Sequence, residues 1–183
     1  MILKRFQANS RDRTIREFYG AIVAQARSAA FYTGYGVPDT VQGRFDLIVL
    51  HLVLVLARFG RDYGTARGVG QKLFDAFCRD LDGNLREMGV GDLAVPKQMR
   101  RFGEAFYGRQ AAYIEAFAAT DNRELENAIA RNIFPGVGVG GDGGAVRLAR
   151  YARAALRQFE AQDDGALLRA EVGFPNPEAF SDG

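Results

Sequence analysis

The side chains best suited to chemistry are few, and each stands alone. His51 is the single histidine and Cys78 the single cysteine. A histidine acting as haem ligand or general base needs a second group to orient it, and a thiolate nucleophile needs a base. Neither has a partner at triad-like spacing. The same counts exclude a cysteine zinc site, a histidine-cluster metal site and an internal disulfide. His51 lies seven residues from both Arg44 and Arg58, on one helical stripe of an otherwise apolar run. Two cations there are expected to disfavour its protonated form. A polar seam hydrogen-bonded to a neighbouring helix is the simpler reading; a small haem carrier or enzyme centred on His51 is its rival. Cys78, at the edge of an apolar stripe, reads as a small buried hydrophobe.

Two further patterns could bind phosphate. Gly136 to Gly141 spells GxGxxG, but that motif needs a preceding strand to aim its backbone donors at a pyrophosphate. The preceding residues, Asn132 to Pro135, end a helix, so the segment 136–144 reads as a glycine linker. Arg147, Arg150, Arg153 and Arg157 step by three and four with no acid from Gly143 to Phe159. Solvated faces usually mix signs; an unbalanced arginine face suits RNA phosphate or anionic lipid headgroups.

The elements that would carry these residues are helical nearly everywhere. Ile15, Phe18, Ile22, Ala26 and Ala29 form one face. Phe45 to Phe59 is apolar almost all round and too long for a buried strand, which makes it the central helix. Gly60, Gly64, Gly68 and Gly70 break the pattern. Phe74, Phe77, Leu81, Leu85 and Met88 line the next helix, and Pro96 opens a fourth through Phe117. Asp121 and Glu124 have capping-box spacing for a fifth, and a sixth runs from about Ala145 to Ala161. The expected fold is all-α: a single-domain bundle of about six helices around a central apolar helix, with a short irregular tail. Its parts are a basic segment 1–12, a helical domain 13–162 and an acidic flexible tail 163–183.

Hydrophobic residues make up 48 % and charged residues 25 % of the 183, an ordinary globular composition. The net charge of +2 is too small to indicate nucleic-acid binding by itself, and no DNA partner is expected. The longest uncharged apolar run, Leu47 to Ala57, is too short for a bilayer, which needs about 20 residues. The first residues lack the apolar stretch of a secretory signal. A cytoplasmic protein is expected, with the arginine face allowing a peripheral position at the inner face of the cytoplasmic membrane.

Several local signatures occur in order over residues 31–132: Gly36-Val37-Pro38-Asp39-Thr40, Gly43-Arg44-Phe45-Asp46, Leu85 through Asp92, Val95-Pro96-Lys97 and Ala105-Phe106-Tyr107-Gly108-Arg109. Together they resemble the ubiquinol–cytochrome c chaperone family of mitochondria and their bacterial relatives. The resemblance implies an all-helical assembly factor for respiratory complex III, with no enzymatic activity and no cofactor. It implies a client, newly made cytochrome b, apo or partly haem-loaded, and association with the translating ribosome or another assembly factor. The alternative from the residues alone is an RNA-, ribosome- or anionic-membrane-binding adaptor using Arg147 to Arg157.

An apolar client needs exposed aromatic or methionine groups rimmed by charge. Met99, Arg100, Arg101, Phe106, Tyr107 and Arg109 offer those residue types, although the spacing of Met99 and Phe106 also suits a core position. They are the candidate partner-binding residues.

Overall fold

The computed structural model describes residues 2–59, 65–136 and 143–180. All regular structure among them is helical: α1 (Ile2–Ala26), α2 (Ala29–Thr33), α3 (Val41–Phe59), α4 (Thr65–Glu87), α5 (Val95–Ala118), α6 (Arg123–Ile133), α7 (Gly144–Ala161), α8 (Asp164–Leu168) and a 3-10 turn at Pro177–Phe180. The six expected helices are present, joined by the short α2, α8 and the final turn. The basic segment 1–12 is not separate: from Ile2 onward it is the first half of α1.

α3 is the axis of the bundle. Leu47 through Leu54 are inaccessible or nearly so, because α1, α4, α5, α6 and α7 all pack against this helix. Its unbroken apolar run therefore reflects burial on every side rather than a strand or a membrane span. No helix among the described residues is long and apolar enough to cross a membrane.

Three local expectations change. Gly68 and Gly70 lie inside α4 instead of breaking it. Gly70 is buried beside Leu56 and Phe59 of α3, and tertiary packing there overrides glycine's weak helix propensity. Gly60 and Gly64 lie outside the described residues, as does 137–142 of the glycine linker. Asp121 does not form a capping box: its carboxylate accepts from the Arg123 amide two residues on, 3.1 Å away, which is an Asx-type turn. Nor is the acidic tail detached from the bundle over its described residues. Residues 171–180 pack on the core, with Pro177 buried and Phe174 and Phe180 half-buried.

Gly43 and Gly144 are fixed by close approach. A Cβ on Gly43 would collide with the Pro38 carbonyl, and one on Gly144 with the Tyr35 carbonyl and the Phe134 ring. The second contact seats the start of α7 against the end of α6.

Candidate functional site

His51 lies at the centre of the bundle with no exposed surface. Its Nδ1 is 2.7 Å from the Leu47 carbonyl. A carbonyl only accepts, so Nδ1 carries the proton and Nε2 is the acceptor. The Tyr151 hydroxyl donates to Nε2 at 2.9 Å and accepts from Gln25 Nε2 at 3.0 Å. The result is a continuous relay from Gln25 to the Leu47 carbonyl. Phe31, Tyr151 and Phe174 surround the imidazole with rings. Burial pushes its pKa down to about 4, against a smaller upward pull from Leu47.

This arrangement corrects both the haem-carrier reading and the account of the charge. Both ring nitrogens are occupied, so neither offers a lone pair to a metal or substrate. The flanking arginines do not set the basicity. Arg44 pairs with Asp39 at 2.7 Å and Arg58 donates to the Phe159 carbonyl at 3.1 Å; burial is the dominant cause. Cys78 is half-buried, and burial, helped by Asp75, pushes its thiol up, away from the thiolate a nucleophile needs.

The candidate partner-binding residues divide by position along α5. Pro96 near its start supplies the helix entry. Arg100, Arg101 and Tyr107 are exposed, Met99 is half-buried and Phe106 is buried. The Phe106 ring packs between Phe74 and Phe77, and Phe74 also stacks on Tyr107. Arg109 is not a surface residue. It pairs with the buried Asp46 of α3 at 2.9 Å and lies over the Phe45 ring. Burial pushes the Asp46 carboxyl up, while Gln42 and Arg109 pull it back. The Tyr113 hydroxyl beside them neighbours Asn132 but has no partner at hydrogen-bond geometry, and neither has Arg109 Nε.

Sequence reasoning did not single out the apolar groups nearest the exposed end of this face. Leu93 is 99 % exposed and Met88 66 %, compared with 58 % for Tyr107. Met88 and Leu93 flank the turn built on Gly89, whose φ is +81°. Met88 also belongs to the apolar series expected for α4, and that periodicity concealed its exposure.

The arginine face of α7 also divides. Arg150 and Arg157 are exposed, and Arg147 is half-buried. Arg153 points inward: its guanidinium donates to the carbonyls of Ala116, Phe117, Ala119 and Asp121 at 2.8–2.9 Å and to Asn122 Oδ1 at 3.1 Å. The carbonyls of Ala116, Phe117 and Ala119 are orphan acceptors at the C-terminus of α5, where a cation also opposes the helix dipole. The expectation that packing is independent of all four arginines fails at Arg153.

A family profile described as Ubiquinol-cytochrome C chaperone matches residues 33–174. The chain belongs to that family. The crystal structure of the Cbp3 homolog from Brucella abortus aligns with a TM-score of 0.87 at 33 % identity, covering 97 % of this chain and 98 % of that one. No curated protein matches the sequence. Within the ubiquinol-cytochrome C chaperone family match lie the glycine linker and α7, which the local signatures over 31–132 did not reach. Of those signatures, Gly43, Asp46 and Arg109 prove architectural, while Leu85 through Lys97 form the exposed turn and its flanks.

Proposed function

We propose that this protein is a non-enzymatic assembly chaperone for the ubiquinol–cytochrome c reductase complex and that its client is newly made cytochrome b. Family membership over residues 33–174 carries the reading. The geometry supports it in two ways. The groups best suited to catalysis are occupied or protonated, as described for His51 and Cys78. Apolar groups are exposed at the turn between α4 and α5, Met88 and Leu93, and further along α5, Tyr107, with Arg100 and Arg101 exposed on the same helix; exposed apolar groups accompanied by cations suit an apolar client. Met99 is half-buried, Phe106 packs against Tyr107 from the core side, and Arg109 is engaged with Asp46 of α3. Such a protein would act in the cytoplasm at the inner face of the membrane. Arg150 and Arg157 are the cations left for a secondary contact with the ribosome, another assembly factor or anionic lipid.

Affinity capture from native membranes tests the reading. Native protein is expected to co-purify cytochrome b, and a Leu93→Glu/Tyr107→Ala variant to lose most of it while remaining folded. Deleting the protein should lower the cytochrome b absorption of membranes and leave other haem signals intact. A normal cytochrome b signal under conditions that require the complex would overturn the proposal.

A further inference from the structure

α1 and α4 pack against each other, and two polar ties join them. Lys72 Nζ donates to Asp12 Oδ1 at 3.3 Å, and the Tyr19 hydroxyl donates to Asp80 Oδ2 at 2.9 Å. Residues 12 and 19 are about 11 Å apart along a helix. Between the two helices lies an open cleft of about 340 Å³, lined by Asp12, Ile15, Arg16, Lys72, Asp75 and Arg79. The first tie forms part of its wall, and the second lies just beyond Arg16 and Arg79 in sequence. The lining is charged except for the buried Ile15.

The charges in this cleft are unevenly used. Asp12 accepts from Lys72, and Asp75 accepts from the Gln71 amide at 2.8 Å. Arg16 and Arg79 have no ion-pair or hydrogen-bond partner among the described residues. Spacing is not the obstacle. Each has an aspartate four residues earlier on its own helix, Asp12 and Asp75, the order that favours such a pair. Farther along α4 the same arrangement does close, with Arg86 Nε at 2.7 Å from Asp82 Oδ2. Two exposed guanidiniums, one from each helix, therefore meet one cleft with their donors unspent within the protein.

A planar guanidinium fork matches the oxygens of a carboxylate or a phosphate. Charge decides between them. The cations of the cleft outnumber its aspartates, so a dianion gains about twice the Coulomb energy of a monoanion there. A phosphate monoester carries roughly two negative charges at neutral pH, which the two unpaired guanidiniums match; a carboxylate or a phosphodiester carries only one. We infer that the α1–α4 cleft binds a phosphate monoester between Arg16 and Arg79, with Lys72 as a third donor that Asp12 restrains. The site is separate from the apolar groups near the α4–α5 turn and from Arg150 and Arg157, and it does not depend on the identity of the client. A soluble phosphorylated metabolite and a lipid with a terminal phosphate headgroup both present this chemistry.

The test titrates the full-length protein calorimetrically with glycerol 3-phosphate and sediments it with phosphatidylcholine vesicles, with and without phosphatidic acid. Arg16→Gln/Arg79→Gln should weaken glycerol 3-phosphate binding at least tenfold; both side chains are exposed and unpaired, so the fold does not rest on them. Asp12→Asn removes a repelling carboxylate and releases Lys72. It should tighten binding severalfold, a gain that damage to the fold would not produce. Dimethyl phosphate, a monoanion, should bind several times more weakly, and Arg150→Gln/Arg157→Gln should bind glycerol 3-phosphate as the native chain does. Sedimentation that needs both phosphatidic acid and the two cleft arginines assigns the lipid as the source. Glycerol 3-phosphate binding without such sedimentation assigns a soluble one. Failure of the native protein to bind either probe, unchanged binding in Arg16→Gln/Arg79→Gln, or equal losses in the two double variants overturns the inference.

Discussion

Asp46 and His51 sit five residues apart on α3 and are buried by opposite means. Asp46 is held by the Arg109 ion pair and the Gln42 amide, which donates to both of its oxygens at 2.9 and 3.0 Å. His51 is held neutral in a relay that passes through Tyr151 to Gln25. Around Asp46, Arg109 Nε and the Tyr113 hydroxyl lack partners; both His51 nitrogens have them. A buried charge thus rests on one counter-ion, whereas a buried neutral group spreads its dependence over several hydrogen bonds.

Removing the counter-ion breaks this contrast most severely. Arg109→Ala leaves Asp46 facing only Gln42 and should cost about 3–5 kcal/mol, measured by urea unfolding. Adding Asp46→Asn should recover part of the loss, because no buried charge then remains.

Acid acts on the neutral partner. The folded-state pKa of His51, about 4, lies below the ordinary value near 6.5, so the unfolded chain takes up the proton first. Stability is full above pH 6.5 and falls as pH drops toward 4, by roughly 3 kcal/mol from this group. His51→Gln should flatten that window and cost about 1–2 kcal/mol at neutral pH if one buried hydrogen bond is lost. Asp46, raised by burial, contributes with the opposite sign. It is common to both chains, so the difference between their pH profiles isolates His51.

Arg153 extends the comparison to a charge paired with backbone instead of a carboxylate. Arg153→Gln should destabilise by about 2–3 kcal/mol, since charged hydrogen bonds to the α5 carbonyls are lost. The exposed pair supplies the smallest effect. Arg150→Gln and Arg157→Gln should each change stability by no more than about 0.5 kcal/mol. If they contact phosphate, sedimentation with ribosomes or anionic vesicles should weaken and become less dependent on salt; unchanged sedimentation would mean the two are merely solvated.

The helices were legible because apolar periodicity records burial: the α3 run and the α4 and α5 stripes appear where their spacing places them, except Met88, which lies past the end of α4 and is exposed. The site was less legible because residue type does not report partners. Arg153 and Arg157 are the same residue four apart on one helix, yet one reaches the carbonyls of α5 and the other faces solvent. Arg109 likewise reads as a rim charge until Asp46 is seen opposite it. The segment 171–180 did carry a signal. Two prolines spaced by one residue between Phe174 and Phe180 are too apolar a pattern for a freely solvated acidic tail.

The grip of Arg153 on the end of α5 also bears on the order of folding. Until α7 docks, the carbonyls of Ala116, Phe117 and Ala119 have no cation to receive them, and the last turn of α5 is left to fray. The residues at both ends of this contact therefore open and close as one cooperative unit. In native-state hydrogen exchange, amides of the last turn of α5 and the middle of α7 would share a single opening free energy, although more than 30 residues of sequence separate Arg153 from those carbonyls.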